Sequence, residues 1–109
     1  MTNRELNEQM LNETIYQNIA AAVREKGVLM KDFETSVGVS EGYFSRKRAG
    51  GTIPLLTMVR VAEGLEMPIL DVMDAKTADV FAMRELDRQI EEQEAVLADL
   101  RARRAAFDN

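Results

Sequence analysis

The chain contains no cysteine and no histidine. Their absence removes disulfides, thiol chemistry, thiolate and imidazole zinc sites, and histidine acid–base catalysis together. Most common enzyme mechanisms thereby lose a central part. The serines, with Asp71 and Asp74, stand at no spacing that reads as nucleophile, base and oxyanion donor. The expectation is a protein that is not an enzyme and needs no cofactor and no metal. Proline and glycine are scarce, at two and six residues, which argues against flexible linkers and collagen-like repeats. No apolar run reaches the length needed to cross a bilayer, and the opening MTNRELNEQM is polar where a secretory leader would be apolar. The expected compartment is the cytoplasm, with no membrane partner.

What is present suits an ordinary globular chain: 109 residues, 46% hydrophobic and 30% charged. That is one core of modest size plus an appended element. Apolar residues recur at three and four nearly throughout, and no stretch alternates with period two for long, so the expected class is all-α. A first helix places Ile15, Ile19, Ala22 and Val23 on one face and ends at Gly27. Its start has two candidates, a cap at Asn12 or Thr14, or a capping box of Thr2 with Glu5. A second helix spans about Met30 to Val37, with Phe33 and Val37 four apart, and stops at Gly38. Ser40 is the expected cap of a third, running through Tyr43 and Phe44 to Gly50 and Gly51. Two short helices around a tight glycine turn form the helix-turn-helix pattern. A fourth helix is expected to turn Leu56, Val59, Ala62 and Leu65 inward. Pro68 opens a short fifth segment with Leu70, Val72 and Met73. Met58, Met67, Met73 and Met83 fall on apolar faces and read as core filler.

The stretch from Ile19 to Met73 resembles the Cro/phage-repressor (XRE-like) helix-turn-helix family, over about half of the chain. The resemblance rests on Gly38-Val39-Ser40 as the turn, Phe33 and Val37 before it, Phe44 within the next helix, and Gly50. A second pattern, PLLTMVRVAEGLEMPILDVM, matches at Pro54, Leu56, Val59, Ala62, Leu65 and Leu70. The resemblance implies a five-helix, lambda-repressor-like domain over residues 1–75 that binds double-stranded DNA as a transcriptional regulator, most simply a repressor. Three positions depart from the family pattern. Leu29-Met30 replaces a Thr-Gln that would touch phosphate, Lys31 being the nearest substitute. Glu34 stands where a small residue is expected at the helix crossing, so the crossing widens or the carboxylate swings to solvent. Lys47 occupies a position that is usually apolar.

In this family the second helix of the motif lies in the major groove. The resemblance therefore makes residues of about 40–49 the recognition helix, with Ser40, Glu41, Gly42, Ser45 and Arg46 facing bases. Arg46 suits a bidentate pair with guanine, and Glu41 suits cytosine N4. Gly42 reads either as a close approach to the groove or as a tolerated residue near the cap. Tyr43 either touches the DNA or packs beside Phe44. Lys47, Arg48 and Thr52 are placed to hold phosphates. The net charge of −5 runs against a nucleic-acid partner, but what matters is where charge lies. From Gly42 to Ala62 there are four basic residues, Arg46, Lys47, Arg48 and Arg60, and no acidic one.

Beyond about Ala78 the pattern becomes a heptad seam: Met83, Leu86, Ile90, Gln93, Leu97, Leu100, Arg104 and Phe107 follow a strict three-four spacing. Residues 76–109 are thus expected to form one long helix that pairs with a second copy as a coiled coil. Gln93 in the seam would fix register, and Arg104 can snorkel outward. The acidic first half and basic end of this helix favour an antiparallel pair, yet suit the dipole of a single helix equally; orientation stays open. A different class of function fits the same residues: a protein-binding module, antitoxin- or adaptor-like, whose long helix pairs with another protein. The net acidity, Met30 and Glu34 support it.

Overall fold

The computed structural model describes residues 2–108, which form six helices and, among those residues, no strand: α1 (Asn3–Lys26), α2 (Met30–Ser36), α3 (Tyr43–Arg48), α4 (Leu55–Leu65), α5 (Ile69–Met73) and α6 (Thr77–Asp108). None is long and apolar enough to cross a membrane. Between the two candidate starts of α1, the earlier one holds. Thr2 Oγ1 accepts from the Glu5 amide at 3.2 Å while Glu5 Oε2 accepts from the Thr2 amide at 3.3 Å, so each side chain satisfies the other residue's otherwise free amide. The helix ends at Gly27 in the left-handed conformation, whose amide donates to Arg24 O at 3.0 Å. The expected face, Ile15, Ile19, Ala22 and Val23, is buried.

Helix α2 ends where the glycine turn begins, with the Val39 amide reaching back to Glu34 O at 3.0 Å. Helix α3 starts three residues later than Ser40, which is not its cap. Gly42 precedes it at φ 80°, a left-handed conformation costly for a residue with a Cβ, so Gly42 lies in the turn and not in the helix. The expected recognition segment of 40–49 is accordingly a turn followed by the six residues of α3.

The phase of α4 differs from the expectation. Met58, Val61, Ala62 and Leu65 face the core, whereas Leu56 is 60% and Val59 37% exposed. Most of LLTMVRVAEGL is apolar, so more than one face satisfies a three-four spacing, but Leu56 shares its side with Arg60 and Glu63, four and seven residues on, and that charged side faces solvent. Another helix comes close at Gly64, where a Cβ would meet Phe33 at 3.1 Å and Val37 at 3.3 Å; the missing side chain lets α2 approach α4. In α5, Val72 is the buried residue and Leu70 is exposed.

Ile19, Phe44, Val61 and Val72, each at most 1% exposed and each from a different helix, centre the core. Burying such a side chain is worth about 1.5–3 kcal/mol relative to leaving it in water. Asn18, also buried, is the polar tie among α1, α5 and α6. Its Nδ2 donates to Val72 O and Asp74 O, both at 2.8 Å, and its Oδ1 accepts the Ala78 amide at 2.9 Å. The first turns of α6 lie on α1, through that amide, through half-buried Phe81, and through Arg84 paired with Glu25 at 3.4 Å. From Ala82 to Asp108 every residue is exposed. The 32 residues of α6 make a rod of roughly 48 Å, which gives the molecule its 70 Å long axis. Met58 is core and Met67 and Met73 pack against it, but Met83 lies exposed on this rod and fills no core of its own chain.

Candidate nucleic-acid interface

The site is built around α3, a short helix that needs anchoring to hold its position. Phe44 supplies the anchor, packed 6.5 Å from the Phe33 ring and edge-on to Tyr43 at 5.2 Å. Tyr43 therefore packs beside Phe44, and its other neighbour is Lys47, whose Nζ stands 5.3 Å from the Tyr43 ring. No side chain of α3 or its turn caps the helix. The cap comes from α2: Glu34, 2% exposed, accepts from the Gly42 amide at 3.0 Å and from the Phe44 amide at 3.3 Å. The carboxylate does not swing to solvent. It occupies the positive end of α3 and satisfies amides that the first turn of a helix leaves free. Glu34 thereby fixes α3 against α2.

Arg46 folds back over its own turn. Its Nη1 donates to Glu41 O at 2.9 Å and its Nη2 to Ser40 Oγ at 2.7 Å. Ser40, Glu41, Gly42 and Arg46 are thus brought together on one exposed edge, with Ser45 exposed beside them. Arg48 is drawn the other way. It forms a bidentate pair with Glu13 of α1, at 2.8 and 2.7 Å, and stacks on the Tyr16 ring at 4.2 Å. The hydrogen bond from Arg48, with a second from Gln17, holds the Glu13 carboxyl at about 2, well below its ordinary 4.5. The same bond raises the pKa of Arg48. Lys31, in the first turn of α2, and Thr52 are exposed and separate from that edge. The loop before Thr52 is fixed to α1, since Asn12 Nδ2 donates to Gly51 O at 2.7 Å.

Three contributors escape reading from sequence. Arg60 of α4 reaches the glycine turn, where a Cβ on Gly38 would lie 3.4 Å from its Nη1. In sequence it belongs to the positive stretch, twelve residues from the nearest residue of α3, and no local spacing places it at the turn. Glu13 and Tyr16, more than thirty residues before Arg48, bind it; no local spacing connects them. The structure also leaves the seam residues Met83, Leu86, Ile90, Gln93, Leu97, Leu100 and Phe107 all exposed, Phe107 at 91%. Beside the start of that seam, α1 and α6 enclose an open groove lined by Ala20, Ala21, Phe81, Ala82 and Leu86. Among the described residues no cluster of acidic side chains is disposed to hold a metal ion. Compared with protein-family models, with curated proteins and with solved structures, the chain matches none.

Proposed function

We propose that this chain is a sequence-specific double-stranded DNA-binding protein, acting as a homodimeric regulator of transcription. In this reading residues 2–75 are a five-helix, lambda-repressor-like body, α2 and α3 are the helix-turn-helix pair, α3 enters the major groove, and α6 pairs with a second copy. The observation that carries the reading is the α3 edge. Phe44 is buried on one side, Ser40, Ser45 and Arg46 are exposed on the other, and the whole stretch from Gly42 to Ala62 lacks an acidic residue although the chain is acidic.

Base reading falls to Arg46. Its guanidinium, whose N–H donors are already aimed past the N-terminal end of α3, would exchange Ser40 Oγ and Glu41 O for guanine O6 and N7 as acceptors. Lys47 and Arg60 are the nearest phosphate ligands, while Arg48 joins them only by leaving Glu13. The protein-binding alternative loses one of its supports, because Glu34 is spent on capping α3 and presents no carboxylate to a partner.

The test is selection from a random duplex pool at two salt concentrations, with Arg46→Ala alongside. Enrichment of a two-fold-symmetric site, bound more weakly at the higher salt and weakened roughly 10- to 100-fold in the variant, is the expected result. Retention of no duplex at the lower salt would refute the reading.

A further inference from the structure

The face of α6 that has no cover in its own chain is occupied, we infer, by a second copy running antiparallel, with the two-fold axis crossing at Ala95 and Phe107 of each copy seated in the α1–α6 groove of the other. This rests on the homodimer reading above and adds the orientation that the seam alone leaves open.

Charge along the rod separates the two orientations. Residues 85–94 hold five acidic side chains (Glu85, Asp87, Glu91, Glu92 and Glu94) against Arg88 alone, while residues 95–107 hold Arg101, Arg103 and Arg104 against Asp99 alone. A parallel pair lays the two acidic stretches side by side and sets Arg104 against the partner's Arg104 at a seam position, an arrangement of like charges that costs stability on both counts. An antiparallel pair centred on Ala95 covers every seam position. Met83 meets the partner's Phe107, Leu86 its Arg104, Ile90 its Leu100, and Gln93 its Leu97. The three arginines then lie beside the partner's Glu85 and Asp87, and Arg104, whose stem crosses Leu86, extends its guanidinium to them.

The groove gives an independent reason. Phe107 is the most exposed large apolar side chain described, at 91%. In the antiparallel register it arrives at the level of Met83, where the seam residue Leu86 and its neighbour Ala82 also line the groove, together with Ala20, Ala21 and Phe81. In a parallel pair the two Phe107 side chains lie together at the far end of the rod, and the groove is left open to water. The antiparallel rod sets the starts of the two α6 helices roughly 50 Å apart, one compact body at each end.

Native cysteines are absent, so single cysteines report the register directly. Leu86→Cys and Arg104→Cys proteins are prepared separately, then mixed and exchanged, and treated with a short bismaleimide. The antiparallel register puts positions 86 and 104 in contact across the pair but holds each roughly 27 Å from its own counterpart. Cross-linking in the mixture and in neither protein alone is the expected result. Cross-linking of each protein alone, with none between them, overturns the orientation and leaves the dimer standing. Sedimentation of the unmodified chain as a monomer overturns the homodimer reading itself. Asp87→Cys with Arg101→Cys repeats the comparison at positions flanking the seam, so that weakening by a seam substitution cannot pass for a negative.

Discussion

Replacing Glu34 is the sharpest test of how α3 is held. The carboxylate accepts two backbone amides, Gly42 at 3.0 Å and Phe44 at 3.3 Å, from a position 2% exposed. In Glu34→Ala the Phe44 amide is left buried without a partner, at a cost of about 1–3 kcal/mol. The Gly42 amide lies nearer the surface and recovers a water, so its loss is smaller, comparable to that of an N-cap at about 1 kcal/mol. The sum is about 2–4 kcal/mol, a large fraction of the 5–15 kcal/mol that roughly bounds the stability of a domain. With a urea slope of about 2 kcal/mol per molar, the midpoint moves down by about 1–2 M. Tyrosine fluorescence is the suitable probe, because the chain has Tyr16 and Tyr43 in the compact body and no tryptophan. Glu34→Gln keeps one acceptor oxygen and turns an amide donor toward the other N–H, so roughly half of the loss is expected. A Glu34→Ala midpoint within about 0.25 M of the parent, about 0.5 kcal/mol at that slope, would refute the cap.

Two further predictions concern the ties between α1 and the rest. Asn18→Ala removes the donor to Val72 O and Asp74 O and the acceptor of the Ala78 amide; a loss of about 2–4 kcal/mol in chemical denaturation is expected, with faster hydrogen exchange at Ala78, and unchanged exchange there would show that α6 is held by other contacts. The Glu13 carboxyl is held at about 2 by Arg48, below its ordinary 4.5, so its contribution to stability is complete above pH 4.5 and is lost as the pH falls from there toward 2. Glu13→Gln should therefore lie below the parent in Tm near neutral pH and approach it through that window; a gap that stays constant across it would show that the pair contributes nothing through charge, as exposed pairs often do.

Much of the architecture is legible along the chain because its signals are local. The capping box at Thr2 and Glu5, the glycine at 27, the turn at Gly38 and the proline before α5 each act within a few residues of themselves. The long α6 follows from thirty residues without glycine or proline and a sustained three-four spacing. Where a signal has two local solutions, the reading fails in a definite way. Leu56 and Val59 have the same spacing as Met58, Val61 and Leu65, but Leu56 stands four and seven residues before Arg60 and Glu63, so apolar spacing read without the charges picks the wrong face. Ser40 looks like a cap, but Gly42 adopts the left-handed conformation two residues later and restarts the chain there.

The sequence by itself determined an all-helical chain, the order of its helices, the face of α1 that is buried, and a rod whose apolar seam no residue of the same chain covers. These follow from periodicity, capping and the lack of cysteine and histidine, which act at short range or by composition. Only the tertiary structure decided that Glu34 of α2 caps α3, that Arg48 is drawn to Glu13 and Tyr16, and that Arg60 stands at the glycine turn. Each of these is a contact between residues distant in the chain or on different helices. It is set by how the helices pack, because a buried carboxylate or an ion pair takes the partner that packing brings within hydrogen-bond reach, and spacing along the chain does not encode that partner.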